Sequence, residues 1–429
     1  MMRAFKYRNY RLFFGGQGVS LIGTWMQRIA LSWLVYRLTG SAMLLGIVGF
    51  CGQIPIFLLS PFAGVLADRL DRHRILLVTQ TLFMVQAFTM AYLVLSGRVQ
   101  VWHIIAISVF IGLVNAFDIP ARQSFVIDMV TRKEDLGNAI ALNSSMFNSA
   151  RLIGPSVAGV VIGMTGEGIC FLIDAVSYLA VLAALLAMDP IARKARPAPE
   201  PALKRLKEGF GYTFGFAPIK FVILLLALTS LTGMPYTVLM PVFVKQGLGG
   251  GPGTLGFLMA CSGAGALLAA VTLASRRNVS GLERRLPLAG ITFGTGLILL
   301  SMSSVFHTAA VFIALASFGM ITQMASSNTI IQTLVDDDKR GRVMAIYAMA
   351  FMGMAPFGSF LAGWGATHIG VRHTIMASGL MSLGGAALFY TRLGEIRDKA
   401  RPVYMRLGMV KEVAQGVESA AELTAPPED

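Results

Sequence analysis

Charge is scarce in this chain. Only 14% of its 429 residues are Asp, Glu, Lys or Arg, against about a quarter in an ordinary soluble domain. Too few charged side chains remain to cover a water-exposed surface of this size. A cytosolic enzyme and a secreted binding module are both excluded on that ground. With 55% hydrophobic residues, low-complexity disorder is excluded as well, because disordered segments lack apolar side chains. Cysteine is sparse too: Cys51, Cys170 and Cys261 lie far apart, each inside an apolar run, and offer no disulfide framework and no metal spacing. The five histidines are scattered and form no ligand pair at helical spacing. The chain has no Gly-rich phosphate loop ending in Lys-Ser/Thr and no nucleophile elbow. The sequence therefore points to no enzyme, no cofactor and no metal.

Long apolar runs are abundant. A helix crosses a bilayer with about 20 mostly apolar residues, and twelve such runs can be drawn: 12–36, 41–67, 75–97, 101–122, 139–164, 168–188, 219–245, 253–275, 286–304, 307–332, 342–366 and 371–391. The basic residues test this assignment. With the N-terminus placed inside, thirty of the 36 lysines and arginines fall on inside segments, four on outside loops, and Arg28 and Arg151 within spans. That asymmetry obeys the positive-inside rule. It places both termini in the cytoplasm, and it explains the net charge of +14 without a nucleic-acid partner.

The segment PIARKARPAPEPALKRLKEGFGYTFGFAP breaks the apolar pattern and divides the spans six and six. Its second part, from about 202 to 212, predicts an amphipathic helix on the membrane surface. The organisation predicted is an N-terminal six-helix bundle (1–188), a cytoplasmic linker (189–218), a C-terminal six-helix bundle (219–392) and a partly disordered cytoplasmic tail (393–429). The halves echo one another. FVIDMVTRKEDLGNAIALNSSMFNSARLIGPSVAGVVIG and IIQTLVDDDKRGRVMAIYAMAFMGMAPFGSFLAGWG each pass a charged turn into an Ala-rich span with a central proline, Pro155 or Pro356, and small residues after it. Parallel repeats of this kind are a recurring transporter plan, and small residues let helices approach closely. The fold class expected is an all-α polytopic membrane protein of twelve transmembrane helices in two pseudo-symmetric bundles.

The loop GVLADRLDRHR, with Gly64, Asp68, Arg69, Arg72 and Arg74, resembles the inter-helix signature of the major facilitator superfamily, with Asp71 where many members have glycine. Gly154-Pro155 and Gly159 resemble the Gly-Pro motif of that superfamily's exporters, with Ala158 in place of one glycine. PARQSFVIDMV, NAIALNSSMFNSARLIGP and GTWMQRIALSWLVYRLTGS resemble the bacterial branch that includes the enterobactin exporter and macrolide-efflux-like proteins. The resemblance implies a central cavity, alternating access, proton antiport and a monomer in the bacterial cytoplasmic (inner) membrane. The partners it implies are a small-molecule substrate, protons and the lipid bilayer.

Ionisable groups inside spans are costly and need a partner or a wet cavity. Four stand out: Arg28, Asp118, Arg151 and Asp174. Counting along the spans at about 1.5 Å per residue, Arg28 and Asp174 share a level and can pair, whereas Arg151 and Asp118 lie one to two turns apart. Each can be a structural ion pair or part of a proton path; Asp118 is the favoured carrier, with Glu167 a weaker candidate in the outer loop. Gln27, Gln53, Asn115, Tyr236, Gln323 and Asn328 are polar candidates for the substrate cavity, and each serves equally as an interhelical hydrogen bonder. At the cytoplasmic face, Asp68 is expected to approach the N-terminus of the eleventh span, while Arg69 and Arg72 face Asp336, Asp337 and Asp338, latching an inner gate. The function read from the sequence is export of a siderophore- or drug-like amphiphile. The alternatives are a lysophospholipid or nutrient transporter of the same fold and a non-transporting membrane sensor.

Overall fold

A computed structural model describes residues 3–189, 202–233, 235–274 and 281–406. The side chains at 60, 61, 64, 65, 67–69, 133, 202–206, 274, 337 and 338 are outside that description. The described residues are helical almost throughout and contain no strand. The first half is α1 (Arg8–Thr39), α2 (Ala42–Arg69), α3 (Arg72–Leu95), α4 (Val101–Asp128), α5 (Lys133–Thr165) and α6 (Glu167–Leu186). The linker holds α7 (Ala202–Gly215), the amphipathic helix expected there. The second half is α8 (Ala217–Leu228), α9 (Tyr236–Val242), α10 (Pro252–Ala274), α11 (Leu282–Met302), α12 (Phe306–Leu334), α13 (Asp337–Met352), α14 (Ala355–His368) and α15 (Val371–Thr391). α16 (Leu393–Arg406) follows.

Two spans are broken. The seventh is α8 and α9 joined through a π-helical turn at Thr229–Gly233. Pro235 has no N–H to continue the α-helical ladder, and π turns recur at functional sites. The eleventh is α13 and α14, interrupted at Gly353 and Met354 just before Pro356. The tail is ordered at its start. α16 docks Ile396, Ala400 and Tyr404 into the apolar core of the second half; residues 407–429 lie outside the described residues.

Among the described residues ten spans are long and apolar enough to cross a bilayer. The 32-residue α1 and the 33-residue α5 complete the twelve. These two are more polar than the rest, and they carry Arg28 and Arg151. The turns at 70–71 and 129–132, together with the linker, define one end of the molecule, called here the linker end; those at 40–41, 96–100 and 166 define the far end.

Two seams join the halves. α5 packs on α10 and α2 packs on α14: the fifth span of one half meets the second of the other, twice, as a two-fold axis requires. Glycine makes both possible. A Cβ on Gly256 would collide with the Pro155 carbonyl oxygen and stand 2.6 Å from the Gly159 Cα; one on Gly46 would stand 2.7 Å from the Ser359 carbonyl oxygen and 2.9 Å from the Gly363 Cα. Backbone contact of this kind is what small-residue packing provides between helices in lipid.

The apolar cores show how the halves relate. At the far end one core runs through both, from Met26, Leu34 and Phe171 to Tyr236, Phe243, Phe293 and Ile375. At the linker end there are two separate cores. One, in the first half, contains Tyr10, Phe13, Phe125 and Val181; the other, in the second half, contains Ile223, Leu286, Ile331 and Val343. The N-terminal segment closes the first of these. Lys6 pairs with Asp135 at 2.5 Å, the Tyr7 hydroxyl donates to the same carboxylate at 2.8 Å, and the Tyr10 hydroxyl donates to the Ala139 carbonyl at 2.9 Å. Lys6 and then Tyr7 hold the Asp135 carboxyl below the usual carboxylate range, and Asp135 in turn raises the Lys6 ammonium.

Candidate functional site: the charged face of the first bundle

The four intramembrane charges separate into different roles. Asp118 is buried and partnered: its Oδ1 takes two hydrogen bonds, while its Oδ2 takes none and faces the Arg122 guanidinium. It accepts from Thr79 Oγ1 and Gln80 Nε2, each at 2.8 Å, and lies 3.0 Å from Arg122, one turn along the same helix. Its cationic partner is therefore Arg122, which the i,i+4 spacing puts on the same helix face, and not Arg151. This cluster ties α3 to α4.

Asp174 is also fully buried, but neither carboxylate oxygen has a hydrogen-bond partner, and no cation lies within 4.0 Å among the described residues. It sits on α6 against α1, where a Cβ on Gly23 would come 2.7 Å from its Oδ1. The pairing of Arg28 with Asp174 that their shared level suggested is not formed. Glu167 is engaged elsewhere: it opens α6 at the far end and pairs with Arg37, at 2.7 and 3.2 Å.

Arg28 and Arg151 converge on one ring. The Arg28 guanidinium carbon is 4.8 Å from the centroid of Trp25, and that of Arg151 is 5.8 Å from it. Phe147 meets the same indole edge-on at 5.7 Å. Neither arginine has a carboxylate partner among the described residues. Arg28 is within electrostatic range of Arg122, Arg151, Asp174 and Tyr178, from α4, α5 and α6, yet it is exposed. A side chain ringed by protein on three elements and still accessible opens into space inside the molecule rather than onto lipid. Arg151 lies at the seam with the second half, where a Cβ on Gly263 would stand 3.0 Å from the Arg151 carbonyl oxygen.

The local sequence builds this face directly. Trp25 and Arg28 are three apart on α1, and Phe147 and Arg151 are four apart on α5, so each pair shares a helix face. Gly154 brings the two helices together: a Cβ there would stand 2.5 Å from the Trp25 Cβ. In Gly154-Pro155 and Gly159, the first glycine thus fits α1, while Pro155 and Gly159 meet α10. Trp25 and Phe147 were absent from the sequence candidates; an aromatic one turn from each intramembrane arginine was the signal that could have found them.

The other polar candidates are mostly spent on packing. Gln27 and Gln86 exchange two hydrogen bonds, both 3.1 Å, between α1 and α3. Gln53 reaches across the halves to Ser359 at 3.3 Å. Asn115 donates to the Ile111 carbonyl one turn back, and Asn328 accepts from Gln332. The Tyr236 hydroxyl joins Ser262 and Ser317 in a buried cluster, at 3.3 and 3.1 Å. Gln323 donates to Thr229 at 2.7 Å, and its buried Oε1 has no partner.

At the linker end, Arg72 pairs with Asp128 of its own bundle at 2.5 Å. Arg74 lies 3.6 Å from Asp71. Asp336 pairs with Arg406 at 2.9 Å, which ties α16 to the start of α13. The side chains of Asp68, Arg69, Asp337 and Asp338, and the surroundings of Gly64, lie outside the described residues, so the expected latch does too.

Twelve helices in two bundles, with glycine seams and intramembrane charge, have a counterpart among known families. Residues 3–412 match the major facilitator family described as transmembrane secretion effector. The chain belongs to that family. It is 29% identical over 386 residues to the staphyloferrin A transporter of Staphylococcus aureus (strain NCTC 8325 / PS 47), covering 89% of this chain and 95% of the relative. It is 24% identical to the multidrug efflux pump Tap of Mycolicibacterium fortuitum, covering 90% and 95%, and 22% identical to macrolide efflux protein A of Streptococcus pyogenes, covering 91% and 98%. In fold it is similar to the crystal structure of a bacterial homologue of the human lysosomal transporter Spinster in an inward-facing, unoccupied conformation. The TM-score is 0.73 at 13% identity, covering 92% of this chain and 98% of that one. This member of the major facilitator superfamily is thus a multi-pass membrane transporter and not an enzyme.

Proposed function

We propose that this transporter exports a small organic molecule of siderophore- or drug-like size across the bacterial cytoplasmic membrane by alternating access, as a monomer with both termini inside. The observation that carries the reading is the division of the apolar cores: one across both halves at the far end, two at the linker end. Halves fused at one end and separately cored at the other can rock about the middle without unfolding either bundle. The positive-inside rule puts the linker end in the cytoplasm, so the separable ends face the side from which an exporter loads. Efflux and siderophore transport among the relatives support export.

Protons are the coupling ion in this reading, carried by Asp174 rather than by Asp118. Burying an ionised carboxylate without a partner costs several kcal/mol, and a bound proton removes that cost. Asp118, held by Thr79, Gln80 and Arg122, has no such need.

The test is purified protein in liposomes with a pH-sensitive dye inside, an imposed proton gradient, and a panel of siderophores, macrolides and dyes. Wild type is expected to move protons only when a transported compound is present, and Asp174→Asn to lose that movement. Proton entry opposite to substrate exit establishes antiport; movement with the substrate keeps Asp174 as carrier and reverses the sign. Substrate flux without any proton movement rejects proton coupling. Flux of lysophospholipid alone replaces the exporter reading with a lipid translocator.

A further inference from the structure

We infer that Arg28 and Arg151, with Trp25 and Phe147, form a binding face for an organic polyanion, a molecule carrying two or more carboxylates on a small carbon frame. The inference rests on the transporter reading and names its substrate class.

Two guanidinium groups without carboxylate partners stand in the middle of membrane spans. An uncompensated charge at that depth is costly and is kept where it faces a wet cavity and has work there. Arg122, towards the linker end of α4, is neutralised by Asp118. Arg37 at the far end is neutralised by Glu167, and Arg72 at the linker end by Asp128. Among the described residues Arg28 and Arg151 have no ion-pair partner, and both guanidinium groups lie over the face of Trp25. An indole face attracts a cation but does not cancel its charge. The two guanidinium carbons lie no farther apart than their distances to one shared ring combined, a span that one small molecule can bridge. Each guanidinium presents a planar fork of donors that matches a carboxylate. The exposed edge of Phe147 supplies an apolar floor beside them.

Asp174 adds a second feature. It lies within electrostatic range of Arg28 without pairing to it. When ionised it becomes the rival of a bound carboxylate for that arginine. Removing its charge therefore strengthens the site. A proton on Asp174 and a polyanion on Arg28 bind together, so antiport of such a substrate requires a second proton site.

The test is binding to purified protein, read by quenching of intrinsic tryptophan fluorescence. The probes are citrate and butane-1,2,3,4-tetracarboxylate, with triethyl citrate as the neutral control and ethidium as the cationic one. Both polycarboxylates are expected to bind and the ester is not. Arg28→Gln and Arg151→Gln should each weaken binding by about tenfold or more, the loss of one charge-assisted pair. Arg28→Lys, which keeps the charge if the glutamine variant fails to fold, should retain part of the affinity. Asp174→Asn should match wild type where Asp174 holds its proton and bind the polycarboxylates more tightly than wild type at a pH high enough to ionise it. Absence of polycarboxylate binding at millimolar concentration overturns the inference, as does binding that survives Arg28→Gln and Arg151→Gln together. Ethidium binding alone overturns it too. Flux in liposomes is measured in parallel: flux of other compounds without polycarboxylate binding sinks the anion site and leaves the exporter standing. Polycarboxylate binding with no flux of any compound sinks the exporter and leaves the site.

Discussion

Asp118 and Asp174 are both buried acids in the first bundle, and their surroundings give them opposite tasks. Asp118 collects two neutral donors and an arginine from α3 and α4. Breaking a buried pair leaves the other charge uncompensated, which is the expensive event. Asp118→Asn is accordingly expected to destabilise the protein by about 3 kcal/mol, seen as a lowered thermal midpoint in detergent. The fraction that remains folded should move protons with substrate as wild type does. An unchanged midpoint together with lost proton movement would transfer the carrier role from Asp174 to Asp118. Sequence alone identified both acids and both arginines as exceptional, because charge within a 20-residue apolar run is legible without coordinates. Of the pairs, Asp118–Arg122 was readable, four apart on one helix. Depth along a span is readable from residue count, but rotation about the span is not, and rotation decides that Arg28 misses Asp174.

Among the helices, the spans and their number were legible from hydropathy and from the lysine and arginine asymmetry, and the interruptions were not. The π-helical turn at Thr229–Gly233 and the break before Pro356 depend on how neighbours receive the displaced backbone. The Ser230 hydroxyl donates to the Phe351 carbonyl, and Gly233 lies so close to Phe293 that a Cβ would collide with its ring. The exporter-like motif shows a further limit. Gly154, Pro155 and Gly159 were readable as a pattern, but their use on two fronts, α1 behind and α10 ahead, follows only from the packing. That placement predicts a graded series. Gly256→Ala forces α10 off α5, because its Cβ has only carbonyl and glycine backbone to meet. Gly256→Val forces them farther apart. Transport is expected to fall from wild type to alanine to valine, reaching a loss of about tenfold or more at valine, while Gly137→Ala, on the same seam helix but with nothing within 4 Å, leaves the rate near wild type. Equal rates across the Gly256 series in a flux assay would show that the far end of this seam is not strained by the transport cycle.

For the whole molecule, the energetic question is what must separate for the far end to open. The seams are glycine-lined, and among the described residues the hydrogen bonds that cross between the halves include Gln53 to Ser359 and Gln246 to Tyr36 at 3.2 Å. Dispersion between close backbones is strong in total and weak per contact. A seam of this kind therefore lacks a dominant lock and can part in steps. The linker end carries ion pairs within each half, among them Lys6 with Asp135, Arg72 with Asp128 and Arg406 with Asp336. These keep each bundle rigid while it rotates. Tyr36 and Gln246 stand on opposite halves at the far end, and this makes them the place to test the motion. With Cys51, Cys170 and Cys261 replaced, cysteines at positions 36 and 246 are joined by a short cleavable thiol-reactive linker. Joined protein is expected to lose turnover in liposomes and to regain it on cleavage, since the far end must open once per cycle. Binding of citrate should persist while the linker is intact, because positions 36 and 246 take no part in the charged face around Trp25. Turnover that continues undiminished in fully joined protein would mean that the far ends stay closed throughout, and that the two-bundle rocking inferred from the cores is not how this chain moves its substrate.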